Sequence, residues 1–176
     1  MDRDTFWKII EASGADHERL AGLLAERRPE EILDFRGHYD EVHHGLYRWD
    51  VWAAGYLIGG GCSDDSFMDF RAGVIAQGRD WYDRASASPD SLAEHPSVRE
   101  SAAEGGDEAL FYEDFTYAPG EAYVRATGTD DTAFYEALER RHPGGRPDTD
   151  MGEDFDFDDS AEMHRRLPLL ASLFLP

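Results

Sequence analysis

Four charged residues lie among the aromatic residues in the middle of the chain, and they are the first candidates for chemistry: Arg48, Asp50, Asp65 and Arg71. A charged side chain surrounded by rings must be paired with an opposite charge or reach water. The group therefore has two interpretations. It forms ion pairs that fasten two helices together, or it forms a polar pocket for a small ligand, since a few fixed polar groups on an apolar floor are typical of such pockets. The candidates for the pocket and its aromatic floor are Arg48, Trp49, Asp50, Trp52, Tyr56, Ser63, Asp64, Asp65 and Arg71.

Cys62 and Ser63 are the candidates for a nucleophile. A catalytic thiol needs a lowered pKa, which a histidine or another positive neighbour supplies. A helix that begins after Cys62 favours the thiolate, but Asp64 and Asp65 oppose it. Ser63 lacks the glycine that a GxSxG turn places two residues after the serine, because Asp65 occupies that position. We therefore expect a buried turn residue and a helix cap at these positions, and the sequence predicts no catalytic residue.

An acidic segment near the C-terminus is the candidate for cation binding. Seven of the twelve residues from Asp148 to Asp159 are Asp or Glu. An EF-hand calcium loop needs glycine at its sixth position, where counting from Asp148 gives Glu153 and counting from Asp154 gives Asp159. The segment does not fit that loop, so a solvated face or a docking surface for a basic partner is the preferred interpretation. Three aspartates remain weak metal candidates: Asp154, Asp156 and Asp158.

Three histidines fall on one predicted helix: His38, His43 and His44. None is four residues from another, which is the spacing that places two ligands on one helix face. Asp34 can share a face with His38, and Asp40 with His44, but no third ligand is near in the sequence. We interpret these histidines as ordinary surface residues, and we expect no cofactor.

The central candidates belong to a predicted helical hairpin over residues 47–79, which we expect at the centre of the fold. Its first helix is apolar on nearly every side, which is typical of a helix buried among others. Gly59–Gly61 ends that helix, and Ser63 caps the second helix, with Asp64 and Asp65 in the first turn. A phosphate-binding loop is not expected, because the glycine motifs are incomplete and the carboxylates repel phosphate.

Several motifs of this region resemble an uncharacterised bacterial family, one of the domains of unknown function, which is abundant in actinobacteria. They are the YRWDxW sequence that begins at Tyr47, the GGCSDDxF sequence that ends at Phe67, and the Phe70–Arg71 pair. Further likeness extends over nearly the whole chain, to Asp156–Asp159 and Arg166–Pro168. The chain departs from the family pattern at Gly73, where the resemblance implies a large aromatic residue, so we expect a close contact in place of a ring. The resemblance implies no reaction and no catalytic residue.

The rest of the chain predicts an all-α, single-domain bundle of about eight helices. In the third helix, an inward stripe is predicted at Ile32, Phe35, Tyr39, Val42 and Leu46. Residues 86–106 are rich in Ser, Pro, Gly and Glu, which predicts a mobile loop with one turn near residues 91–94. Residues 143–158 are predicted to be an acidic linker or extended segment, with Phe155 and Phe157 turned inward and the aspartates outward.

Composition limits the class of protein. The 176 residues carry a net charge of −21, with 38 acidic residues against 17 basic ones. Such a charge argues against nucleic acids and anionic membranes as partners. With one cysteine, no internal disulfide is possible, and neither a signal peptide nor a membrane span is recognisable, so we expect the cytoplasm.

These observations favour a non-catalytic interaction or regulatory protein whose acidic surface docks a basic partner. The alternative is a small-ligand binder or enzyme with a pocket at Arg48, Asp50, Asp65 and Arg71. The absence of a complete catalytic set in the sequence places the non-catalytic interpretation first.

Overall fold

The computed structural model describes residues 1–106, 109–144 and 149–175. Over these residues the chain is helical, with eleven α-helices, two 3-10 helices and no strand. The all-α prediction is confirmed, but the expected number of about eight helices is too low, because several elements are short. The α-helices are α1 (Arg3–Ser13), α2 (His17–Ala25), α3 (Pro29–Gly45), α4 (Trp49–Ile58), α5 (Asp64–Ala76), α6 (Arg79–Ala87), α7 (Pro96–Glu104), α8 (Ala118–Thr127), α9 (Asp131–Arg141), α10 (Ser160–Arg166) and α11 (Pro168–Phe174). The 3-10 helices are Pro89–Glu94, before α7, and Glu113–Thr116, before α8.

One main apolar core joins most of these helices. Within the described residues it takes buried side chains from every α-helix except α9, and the inward stripe predicted for α3 is buried throughout. The ring of Phe134 on α9 packs in a small separate cluster with Leu33 of α3 and Ala137. Burial of apolar surface is the main driving force for this arrangement.

The two helices predicted on either side of the glycine run are present as α4 and α5. α4 ends before the glycine run, and the Ser63 hydroxyl caps α5 by accepting a hydrogen bond from the Ser66 amide at 3.2 Å. The most deeply buried face of α4 carries small and aliphatic side chains, with Val51, Ala54 and Ile58 fully buried, whereas Trp49 and Trp52 are only partly buried. The large rings of α4 therefore lie at the edge of the core.

Residues 86–106 do not form the predicted loop. They contain the end of α6, the first 3-10 helix and α7, and they bury Leu92 and Val98 in the main core. An ion pair between Arg84 and Glu94 and an edge-to-face contact between Trp81 and His95 fix this region to α6. The few apolar residues of this polar stretch are enough to give it a fixed structure, because each packs against helices that are distant in the sequence.

The acidic segment lies along the start of α4 without regular structure over residues 149–156. The Trp49 amide donates to the Met151 carbonyl at 3.0 Å, which fastens the segment to α4. Phe155 and Phe157 are partly buried against the main core, whereas Asp156 and Asp158 are exposed. The predicted inward and outward alternation is therefore seen here, and Asp148 and the other residues of 145–148 lie outside the described part of the chain.

Among the described residues, none of the helices combines the length and the apolar character needed to cross a bilayer.

Candidate functional site

Arg48 and Asp50 form a two-pronged ion pair at the start of α4. The Arg48 Nε donates to Asp50 Oδ1 at 2.9 Å, and Nη2 donates to Oδ2 at 2.7 Å. The remaining nitrogen, Nη1, donates to the Ser86 carbonyl of α6 at 2.8 Å. The hydrogen bonds to Asp50 raise the pKa of Arg48 above its ordinary value. The pair fastens α4 to α6, and each guanidinium nitrogen makes a contact within the protein.

Arg71 is buried at the other end of the candidate group. Its Nε donates to the Phe67 carbonyl at 3.2 Å, and Nη1 donates to the His43 carbonyl of α3 at 3.1 Å. The guanidinium carbon lies 4.9 Å from the ring centre of Tyr47 and 4.7 Å from that of Phe67. An arginine between aromatic faces gains from cation–π attraction and packs its stem against the rings. Arg71 thus joins α5 to the end of α3.

Four aromatic rings stack near these two arginines and form what we call the ring stack: Tyr47, Trp49, Trp52 and Phe67. Trp49 and Trp52 stack with ring centres 5.4 Å apart, and Trp52 and Phe67 stack at 4.6 Å, each pair with planes 12° apart. The Trp52 indole donates to the Cys62 carbonyl at 2.9 Å, which holds the glycine turn against α4. Stacked rings and a satisfied indole nitrogen indicate a packing role.

The other candidates, Ser63, Asp64 and Asp65, lie exposed at the start of α5. Ser63 is the predicted cap, and the two aspartates favour the helix dipole from the first turn. The structure therefore divides the predicted pocket into three parts: the Arg48–Asp50 pair, the ring stack with Arg71, and the exposed turn. Three surface clefts formed by described residues are lined by side chains that are not among these pocket candidates.

Asp65 instead belongs to a group of carboxylates that the sequence did not reveal. We call it the acidic cluster: Asp65 and Asp69 on α5, and Glu113 and Asp114 on the second 3-10 helix. α5 packs against this 3-10 helix, and the Tyr112 amide donates to the Asp69 carbonyl at 3.1 Å. The spacing of Asp65 and Asp69 on one helix face was visible in the sequence, but the approach of residues 113 and 114 was not.

The acidic cluster is electrostatically uncompensated. Within the described part of the chain, none of its four carboxylates makes an ion pair. Burial first, and then the charges of Glu113, Asp65 and Asp114, raise the pKa of Asp69 above its ordinary value. Neighbouring carboxylates disfavour one another's ionised form, so a positively charged group of a partner would be favoured beside them.

Ser63 is the helix cap that we expected, whereas Cys62 is only partly buried and not the buried turn residue that we expected. Burial, followed by the charge of Asp69, raises the pKa of the Cys62 thiol to about 12. At neutral pH the thiol is protonated and is a poor nucleophile. Ser63 uses its hydroxyl oxygen for the cap, and it is exposed.

The histidines bind backbone and side-chain groups near them. His38 contacts the Met1 carbonyl at 3.0 Å, His43 contacts the Met68 carbonyl at 3.1 Å, and His44 contacts the Thr149 hydroxyl at 2.5 Å. His43 is buried, so the expectation of a surface position is wrong for this residue. The carboxylates of the two expected pairs bind arginines: Asp34 binds Arg141, and Asp40 binds Arg36.

Among the described residues, no three His, Cys, Asp or Glu side chains come together in a way that could hold a metal ion. The weak candidates Asp154, Asp156 and Asp158 therefore do not form such a group. Instead, Asp158 accepts a hydrogen bond from the Tyr56 hydroxyl at 2.5 Å, and Asp156 accepts one from the Asp158 amide at 2.9 Å. The first contact holds the acidic segment against α4, and the second forms a turn within the segment.

These features define an acidic, all-helical protein whose central charged and aromatic residues mainly join its helices. Residues 1–125 match the family described as a protein of unknown function, DUF4240, and the chain belongs to that family. The match ends within α8, so α9, α10 and α11 lie beyond it. The motifs Asp156–Asp159 and Arg166–Pro168, which also carried the resemblance seen in the sequence, lie beyond the match as well. No curated protein and no solved structure matches the chain.

Proposed function

We propose that this protein is a non-catalytic interaction protein whose acidic surface docks a basic protein partner, as an inhibitor, an immunity-type protein or a regulator does. The single observation that supports this proposal best is the acidic cluster, where Asp65, Asp69, Glu113 and Asp114 are held together without a cation from the described residues. A protein gains nothing in stability from gathering like charges, whereas a basic partner gains affinity and a faster association rate from them.

The overall charge supports the same proposal. A net charge of −21 exceeds what solubility requires of a small domain. A long-range negative potential steers positively charged proteins to the surface and repels nucleic acids and anionic lipids. The proposal places the protein in the cytoplasm of a bacterium, largely among the actinobacteria. The family resemblance supports the bacterial source, and the single cysteine supports the cytoplasm.

The alternative function, a small-ligand binder or enzyme at Arg48, Asp50, Asp65 and Arg71, has less support. The guanidinium groups of Arg48 and Arg71 are engaged with Asp50, Ser86, Phe67 and His43, and Asp65 lies with the acidic cluster. A ligand at this place would have to displace contacts that join α4 to α6 and α5 to α3.

The test is a charge-dependent binding experiment with a matched control. The full-length protein is immobilised, basic proteins retained from the source extract at low salt are identified, and the affinity of the purified partner is measured by calorimetry over a range of salt concentrations. The cluster variant carries Asp65→Asn, Asp69→Asn, Glu113→Gln and Asp114→Asn. The control variant loses the same charge at exposed carboxylates elsewhere, through Asp80→Asn, Glu100→Gln, Glu104→Gln and Glu139→Gln.

We expect the cluster variant to bind at least about tenfold more weakly than the control variant, and binding by the wild type to weaken as salt screens the charges. If the wild type retains no basic protein at low salt, or if the two variants lose affinity equally, the proposal is wrong.

A further inference from the structure

A cleft with two exposed tyrosines lies between α8 and α9, and no candidate residue predicted from the sequence lines it. Its volume is about 310 Å³, and its lining includes Tyr117, Gly120, Phe134 and Tyr135. Tyr117 is 51% exposed and Tyr135 is 55% exposed, and among the exposed large hydrophobic residues of the described chain only Leu169, at 51%, is as exposed as Tyr117. Exposed tyrosines beside a concavity are typical of residues that dominate binding energy at protein interfaces.

A tyrosine and a carboxylate lie one turn apart at the start of each of the two helices, with Tyr117 immediately before α8. Tyr117 and Glu121 are four residues apart, with the Glu121 amide bonded to the Tyr117 carbonyl at 3.1 Å, and Asp131 and Tyr135 are four residues apart on α9. Residues at this spacing lie on the same helix face, so both pairs line the cleft together.

The floor of the cleft is open because of Gly120. A β-carbon built at this residue would meet only the Phe134 ring, at 3.5 Å, so the glycine leaves the space above that ring empty. The Phe134 ring itself is buried and packs against Tyr123 with ring centres 5.5 Å apart. The cleft therefore has an apolar floor, and Tyr135, which contacts the Phe134 ring edge-to-face with ring centres 5.2 Å apart, and Tyr117 complete its aromatic lining.

The charged residues that line the cleft are Arg36, Glu121 and Asp131, and the ion pairs of the first two leave the carboxylate of Asp131 available. Arg36 binds Asp40 at 2.9 Å and the Thr116 carbonyl at 3.1 Å, and Glu121 binds Arg125 at 3.2 Å. Asp131 is exposed and makes no ion pair with any residue in the described ranges. A positively charged group in the cleft would therefore find an unused carboxylate as well as two aromatic faces.

We propose that this cleft receives an arginine side chain of the basic partner, with the guanidinium between Tyr117 and Tyr135 and its nitrogens donating to Asp131. The planar guanidinium suits this place better than the ammonium of lysine, because it stacks on aromatic rings and can bind both oxygens of one carboxylate. This inference rests on the proposed function. The cleft also adjoins the acidic cluster along the chain, since Tyr117 follows Asp114 by three residues.

The first experiment uses peptides of known chemistry. The isotope-labelled full chain is titrated with acetyl-Gly-Arg-Gly-amide, and then with the matched peptide in which neutral citrulline replaces arginine, while NMR follows backbone amides and tyrosine rings. We expect saturable shifts centred on Tyr117, Asp131 and Tyr135, and about fivefold weaker binding of the citrulline peptide, because a charged donor forms the stronger hydrogen bond to a carboxylate.

Variants locate the binding. A Tyr117→Ala/Tyr135→Ala variant should weaken binding of the arginine peptide about tenfold, since each exposed cation–π contact contributes about two- to fivefold. Asp131→Asn should reduce the preference for arginine over citrulline. The matched control is Leu169→Ala/Leu173→Ala, which removes two other exposed apolar side chains and should leave binding unchanged.

Several results would overturn the inference: no saturable shift, shifts spread over all exposed carboxylates or centred on Asp65 and Asp69, or equal binding of the two peptides. The purified partner then separates the two proposals. If the cluster variant loses the partner but the tyrosine variant keeps it, the docking function stands and the arginine cleft is wrong. If no basic partner is found although the peptide binds in the cleft, the docking function is wrong.

Discussion

The backbone of Leu110 lies directly against Gly73 of α5. A β-carbon built at Gly73 would meet the Leu110 carbonyl oxygen at 1.8 Å, which no side chain can tolerate. Leu110 itself has a φ of +69°, a conformation that non-glycine residues seldom adopt. The close contact that we expected at Gly73 in place of an aromatic ring is therefore present, and its partner is a backbone segment rather than another helix.

Gly73→Ala should destabilise the protein by about 3 kcal/mol or more, because either α5 or the segment at Leu110 must move away from the core. Chemical denaturation of the two proteins measures this. The control is Gly22→Ala in α2, where a β-carbon would meet nothing within 4 Å. This second change should stabilise the protein by about 0.5–1 kcal/mol through helix propensity. Equal effects of the two changes would contradict the packing argument.

Asp90 is predicted to hold the C-terminal helix in place. Its buried carboxylate accepts hydrogen bonds from the Leu169 and Leu170 amides at the start of α11, at 3.0 and 2.9 Å. Asp90→Ala should cost about 1–3 kcal/mol, because it leaves buried amides without an acceptor. Hydrogen exchange should accelerate in α11 first. In contrast, Asp130→Ala removes a local cap from α9, so it should accelerate exchange there and leave α11 protected.

The Asp34–Arg141 ion pair should give a pH dependence in the acid range. The hydrogen bond from Arg141, aided by the amino terminus, lowers the pKa of Asp34 from 3.8 to about 2. A lowered pKa means that this stabilisation is fully present above about pH 4 and is lost as the pH falls toward 2. Arg141→Met should raise the pKa of Asp34 toward 3.8, measured from the carboxyl resonance by NMR. Arg140→Met, which removes only the neighbouring pair with Glu136, should leave this pKa unchanged.

His95 should give a second pH dependence near neutrality. Its Nδ1 accepts a hydrogen bond from the Ser97 amide at 3.2 Å and caps α7. Burial, and then the charge of Arg84, lowers the pKa of His95 below 6.5. The stabilisation is therefore present above pH 6.5 and is lost as the pH falls through the lower pKa of the folded state, since the protonated ring cannot accept the bond.

His95→Asn tests this, because asparagine can cap the helix and does not titrate. The free energy of unfolding of this variant, measured between pH 5 and pH 8, should lose the part of the pH slope that His95 contributes. A slope identical to that of the wild type would show that His95 is not responsible.

Cys62 should react slowly with alkylating reagents. With its pKa raised to about 12, the thiol contains almost no thiolate at pH 8. The rate of iodoacetamide modification should therefore be far below that of a free cysteine peptide. Asp69→Asn should speed the reaction, because it removes the negative charge that, after burial, raises the pKa of the thiol. A rate equal to that of the peptide would reopen the nucleophile hypothesis.

The local structure around α4 and α5 could be predicted because its signals lie close together in the sequence. Ser63 is followed by two aspartates, and the preceding glycines cannot continue a helix cheaply, so the turn and the cap were predictable from neighbouring residues alone. The pocket prediction treated Arg48, Asp65 and Arg71 as one group because they are near one another in the chain. Arg48 also binds Ser86 of α6, Arg71 binds His43 of α3, and the charges of Asp65 and of the second 3-10 helix both act on Asp69. No local pattern indicates the contacts with α6, α3 and the 3-10 helix.

The sequence by itself therefore determined the helical class, the turn between α4 and α5 and the strong negative charge, because helix periodicity, caps and composition are local or additive properties. The tertiary structure decided which charges meet. It gathers Asp69 with Glu113 and Asp114, gives α7 its fixed place, and opens the cleft between Tyr117 and Tyr135. The physical reason is that burial and electrostatic interactions depend on distance in space, and helices far apart in the chain set that distance only when they pack.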